Sequence, residues 1–96
     1  MAFRAIAILK AKAGLEQQLV EFTLEAMTQV RTMEGLERVE VSRSTSEPGR
    51  LILYYWWKSE SHSFRYWEGP LYREMSPRLA AVLADHVLIG ADLIDS

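Results

Sequence analysis

The chain of 96 residues has no cysteine, which excludes disulfide stapling and thiolate chemistry and makes a reducing, cytoplasmic setting the expectation. Histidine is scarce too. His62 and His86 are the only imidazoles, they form no close-spaced ligand pair, and no metal site is expected. Charge of one sign is also missing. The 11 Lys and Arg are scattered among 13 Asp and Glu, for a net charge of −2. Without a basic stripe of the kind that phosphate backbones select, no nucleic-acid partner is expected. Long hydrophobic runs are lacking as well. Arg4 and Lys10 interrupt the apolar stretch of "MAFRAIAILKAKAG", so neither a signal peptide nor a membrane span is expected, and the protein reads as soluble. With no linker, repeat or low-complexity tract, residues 1–96 are expected to form one domain. At this length about 60–68% of the unfolded chain's surface is buried, which gives an adequate but not generous core.

Aromatic surface is what the sequence does have, and it is concentrated. The stretch "LYYWWKSESHSFRYW", Leu53 to Trp67, carries seven of the ten aromatic residues. A strand with one face in water needs an apolar side chain only at every second position. Both alternations are apolar here: Leu51, Leu53, Tyr55 and Trp57 on one face, Ile52, Tyr54 and Trp56 on the other. Two covers are therefore required.

The remaining elements follow from periodicity. "FRAIAILKAK" reads as a strand largely buried on both sides, broken by Gly14. Leu15, Leu19, Phe22, Ala26, Val30 and Met33 recur at three- and four-residue steps, predicting an amphipathic helix that ends at Gly35. "LERVEVSRS" is a second strand, and Pro48-Gly49 suits the centre of a type II turn into "RLILYYWW". Ser59 or Ser61 can cap a helix bearing Phe64 and Trp67. Pro70 should start a further short helical segment that Pro77 interrupts, and "HVLIGADLI" is the fourth strand.

The order β-α-β-β-α-β predicts an α+β, ferredoxin-like protomer with helices on one face of an antiparallel sheet. The helices are one cover. The other face, odd or even half of the aromatic strand, would lie bare in a monomer, and sheet-to-sheet dimerisation would cover it. Space left between the sheets would form an apolar pocket.

These residues resemble the antibiotic biosynthesis monooxygenase family, small homodimers whose ferredoxin-like protomers form a dimeric α+β barrel. The resemblance spans nearly the whole chain: the first strand, Gly14, the helix, "MEGLERVEV", the hairpin and "YYWWKSESHSFRYWEGPLY". Its most recognisable part is the Trp57-Lys58-Ser59 strand exit before the helix with Phe64 and Trp67. The segment between Ser59 and Phe64 is one residue longer than the family's usual spacing. Two catalytic versions of the family are implied. In haem-degrading members a tryptophan like Trp67 presses on the porphyrin, but their histidine ligand falls at Ser76 or Pro77, neither of which binds iron. Their first-strand asparagine falls at Ala7 or Ile8, and this chain contains no asparagine. No haem, and no other cofactor, is expected. The other version oxidises phenolic polycyclic compounds without a cofactor, the deprotonated substrate supplying the electrons. It implies Trp67 and Tyr72 as catalytic donors, although its pattern also includes an asparagine.

The expected function is accordingly cofactor-independent oxygenation of a small aromatic or quinol-like substrate. The alternative is a non-catalytic binder of apolar metabolites or an accessory subunit of the same fold. Tyr54, Trp56 and Phe64 are the expected pocket-lining residues, with Tyr55 and Trp57 as strand packing. His62 and His86 are the candidate general bases, since histidine titrates near neutrality. Their plainer reading is a helix-surface residue and a loop or edge residue. Arg38 and Glu40 share a strand face as an exposed pair, contributing at most about 1 kcal/mol.

Overall fold

A computed structural model describes residues 2–95. Strand β1 (Phe3–Ala11) leads into helix α1 (Glu16–Val30), then strands β2 (Leu36–Arg43) and β3 (Arg50–Trp57). Helices α2 (Glu60–Trp67) and α3 (Pro70–Val82) follow, and β4 (Leu83–Asp92) closes the sheet. The strands are antiparallel in the order β2-β3-β1-β4. This is the ferredoxin-like arrangement, with two helices in the second crossover. Among the described residues, no helix is long and apolar enough to cross a membrane.

Register fixes which residues share a face, because directly opposed residues of an antiparallel pair project to the same side. Ala5 faces Tyr55 and Gly90, and Val39 also faces Tyr55. Phe3, Ala5, Ala7 and Leu9 therefore join Leu51, Leu53, Tyr55 and Trp57 under the helices, where all are buried. The odd half of the aromatic strand is the core half. Ile6, Ile8, Ile52, Tyr54 and Trp56 occupy the opposite face together with Val87 and Ile89 of β4, which are 47% and 45% exposed. That second face has no cover within the protomer. Two arginines lie across it, with the Arg4 and Arg38 guanidinium groups 5.5 and 5.4 Å from the centre of the Trp56 ring. Arg38 also pairs with Glu40, and both side chains are largely exposed, 64% and 46%. The pair adds little to stability.

The β2–β3 hairpin forms as its turn residues dictate. Gly49 has φ +82°, and the Arg50 N–H donates to the Glu47 carbonyl at 3.3 Å, closing the Glu47-Pro48-Gly49-Arg50 turn. At α2 the Ser59 hydroxyl accepts from the His62 N–H, as an N-cap should.

Three expectations at element ends are corrected. Helix α1 stops at Val30, and Met33 and Gly35 belong to the turns before β2. Gly35, at φ +85°, is a turn glycine beneath His62; a Cβ there would stand 2.1 Å from the imidazole ring. Pro77 does not interrupt α3, which runs through it. Proline removes one backbone donor and crowds the preceding turn, a cost that α3 bears while Leu71, Tyr72, Met75, Leu79 and Val82 pack against the core. Finally, β4 begins at Leu83, three residues before His86, because Lys10 and Ala11 extend β1 far enough to pair with Asp85 and Leu83 across a bulge.

Candidate functional site

The site grows from the odd face of β3. Tyr55 and Trp57 stack along the strand with centroids 6.3 Å apart and planes 10° from parallel. On α2 the one-turn spacing of Ser63 and Tyr66 puts both toward the sheet, where both are buried. Tyr66 packs on Tyr55 and Trp57 at 6.1 and 5.9 Å. Trp67, one residue further round the helix, meets Tyr55 edge-on at 5.6 Å and Tyr72 of α3 at 4.9 Å with planes 80° apart. Edge-to-face contacts of this kind add roughly 0.5–1.5 kcal/mol each beyond buried area.

A cavity of about 280 Å³ opens beside this cluster, between the helices and the sheet. Ala7, Leu53 and Tyr55 form its floor, and Phe22, Thr23 and Met27 of α1 form one wall. Trp67, Tyr72, Met75 and Leu79 close the α2–α3 side, and Asp85, His86 and Leu88 form the rim on β4. Small residues make the space. Ala7 leaves the floor low, and α3 contributes no fully buried residue, so it stands over the sheet as a roof.

The phenols of the site are held neutral. Burial pushes Tyr55 well above the ordinary tyrosine value, and the neighbouring Tyr66 hydroxyl adds to the shift. Burial also raises Tyr66, against a smaller lowering by its bond with Tyr55. Tyr72, less enclosed, is raised by burial. At neutral pH these groups can donate hydrogen bonds to oxygen atoms in the cavity but cannot act as bases.

The residues singled out from sequence divide between several places. Trp67 and Tyr72 meet in the cavity wall, and His86 reaches its rim. Tyr54 and Trp56 do not line this cavity: strand alternation puts them on the face away from the helices, 4.4 Å apart. Phe64 does not line it either. Its neighbour Ser63 takes the inward position on α2, leaving Phe64 50% exposed. His62 is remote from the cavity, its Nδ1 2.7 Å from the Ser59 hydroxyl and its ring over Gly35. The cavity itself lies on the helix side of the sheet, not on the open side where a between-sheets pocket was expected.

Sequence reasoning missed Tyr55 and Tyr66 as site residues, and also Thr23. Tyr55 packs in the core, as a strand aromatic should, and lines the cavity as well. The expected α1 stripe comprises apolar residues alone, whereas the buried positions are Leu19, Thr23, Ala26, Met27 and Val30. A hydroxyl at the i+4 step of a buried stripe was the available signal. Of the alternative slots for the haem-degrading histidine, Ser76 or Pro77, and asparagine, Ala7 or Ile8, Ser76 and Ala7 line the cavity. Neither residue is a haem-iron ligand. Among the described residues, no cluster of three His, Asp or Glu could hold a metal ion.

No curated protein matches the chain in sequence. Solved structures match it closely in fold. Rv0793 from Mycobacterium tuberculosis superposes with a TM-score of 0.89 at 15% identity, over 100% of this chain and 98% of that one. A candidate antibiotic biosynthesis monooxygenase from Deinococcus radiodurans gives 0.89 at 16% identity, over 100% and 95%. A conserved protein from Methanosarcina mazei gives 0.86 at 18%, over 95% and 91%. These likenesses establish the fold. The sequence profile of antibiotic biosynthesis monooxygenase matches residues 2–77, from the first strand to the middle of α3, and the chain belongs to that family.

Proposed function

We propose that the protein is a cofactor-independent monooxygenase acting on a small aromatic or quinol-like substrate in the cavity beneath α3. The observation that carries this reading is the wall of neutral phenols and indole around an apolar space, with one imidazole at the rim. A phenol converted to a quinone supplies the electrons itself. One atom of O2 becomes the new carbonyl oxygen, the other leaves as water, and the hydroxyl and ring hydrogens of the substrate go to that water. The protein has to take a proton from the substrate, steady the resulting anion and keep bulk water out. His86 is the proton acceptor, being the histidine at the cavity, and Tyr72 and the Trp67 indole N–H are the donors to the anion. The test is oxygen uptake with a naphthol, with isotopic labelling from 18O2 to follow one oxygen atom into the quinone. Uptake matched to quinone, abolished by Tyr72→Phe with Trp67→Phe, is expected. Uptake no faster than autoxidation would overturn it.

The working form in this reading is a homodimer in which the open sheet face, with Ile6, Ile8, Trp56 and Ile89, is covered by a second copy. Exposed apolar area of this extent is uncommon on a free protomer. A second reading, a non-catalytic binder of apolar metabolites or an accessory subunit, is favoured by the absence of asparagine throughout the sequence. It predicts ligand binding with no oxygen uptake.

A further inference from the structure

Thr23 lies in the middle of the buried stripe of α1, 3% exposed, and lines the cavity. A threonine inside a helix ordinarily turns its hydroxyl back to a carbonyl of the preceding turn. Thr28, in the same helix, does so, donating to the Glu25 carbonyl at 2.6 Å. The Thr23 Oγ1 has no hydrogen-bond partner in the protein. Among the described residues, three other side chains also bury a polar atom without a partner, Arg4, Arg50 and Trp57. None of those three lines the cavity.

A buried, unmatched hydroxyl costs about 1–3 kcal/mol of desolvation, which a matching group in the cavity offsets. We infer that Thr23 is the polar anchor of the cavity, hydrogen-bonding a hydroxyl or carbonyl oxygen of an uncharged two-ring aromatic ligand. Size comes from volume. A cavity of about 150 Å³ holds one benzene ring, so about 280 Å³ holds two fused rings. Neutrality comes from the lining. Its only formally charged residue is Asp85, at the rim with His86, so a carboxylate at Thr23 would be buried unpaired. A hydroxyl group also suits both ends of a phenol-to-quinone conversion, since it accepts from O–H and donates to C=O. This inference rests on the reading of the cavity as the substrate site.

The test titrates naphthalene and 2-naphthol into the wild type, Thr23→Val, Thr23→Ser and Trp67→Ala, followed by intrinsic fluorescence. Thr23→Val keeps the shape and removes the hydroxyl. It should weaken 2-naphthol about three- to tenfold, the worth of one neutral hydrogen bond, and leave naphthalene within twofold. Thr23→Ser should restore the preference for naphthol. The melting temperature of Thr23→Val should equal or exceed the wild type's. A fall of several degrees would mean that the hydroxyl has a partner in the fold, and the proposal would be wrong. Equal losses for both ligands, or none, would also overturn the role of Thr23, while weaker binding of both to Trp67→Ala would uphold the cavity. Binding of neither ligand to the wild type would overturn the cavity reading and this one with it.

Discussion

Trp57 and Trp67 illustrate how one residue type takes two roles at this scale. Trp57 is fully buried between β3 and α2, whereas Trp67 is half-buried with one side against the cavity. Trp57→Ala should cost about 3–5 kcal/mol, and Trp67→Ala under about 2 kcal/mol, as read from denaturant melts. Ligand titration should show the reverse ranking. The opposite pairing would mean that the two rings exchange roles. The buried phenols make a second prediction, for alkaline pH. An unfolded tyrosine ionises near pH 10, while Tyr55, Tyr66 and Tyr72 in the fold ionise only at higher pH. Above pH 10 the unfolded state therefore loses protons that the native state keeps. The stabilisation is fully present below that pH and is lost as pH rises through the raised native values. Melting temperature should fall from about pH 10 upward, and Tyr66→Phe should flatten the fall. Invariance of the melt up to pH 11 would argue against it.

At the scale of elements, the sequence was legible where pattern and local chemistry agreed. The four strands, the Pro48-Gly49 turn and the Ser59 cap could all be read because each depends on neighbours in the chain. The aromatic strand's two apolar faces were visible too, but not which half faced the helices. That choice is made by pairing with Ala5 and Ala7, small residues that leave room for Tyr55 and the cavity. Tertiary packing also decided the end of α1 and the course of α3, where proline propensity is overridden. Among the helices, α3 is the one least committed to the core, since none of its residues is fully buried and Pro77 lies in its interior. Its amides should exchange faster than those of β1 and β3, and a bound aromatic ligand should slow them selectively. Pro77→Ala supplies the missing N–H at a helix-interior site. Set against the greater freedom of the unfolded chain, the gain should be about 1–2 kcal/mol in a thermal melt. A loss of stability would show that Pro77 is needed to shape the roof.

For the whole molecule, the question is what covers the even face of the sheet. Ile6 pairs with Ile89 and Ile8 with Val87, and Ile52, Tyr54 and Trp56 continue the surface across β3. Flanking it, Arg4 buries one guanidinium nitrogen that no group in the protomer satisfies, and burial of such a group is costly unless it is paired. A second copy laid on this face would shield the isoleucines and bring acceptors to Arg4. A specific, stable interface of this kind buries about 1,600 Å² or more in total. The prediction sets two leucine-sized residues of similar exposure on opposite sides of the molecule: Ile89, 45% exposed on the open face, and Leu24, 50% exposed on α1. Ile89→Lys would bury a charge between two sheets, so light scattering at micromolar concentration should give a dimer's mass for the wild type and a monomer's for this variant. Leu24→Lys, a change in the helix layer, should leave the dimer intact, and circular dichroism should show both variants folded. A wild type that is monomeric would remove the second copy as the cover. A dimer broken by Leu24→Lys and spared by Ile89→Lys would put the interface on the helices, where the mouth of the cavity would then be closed by the partner.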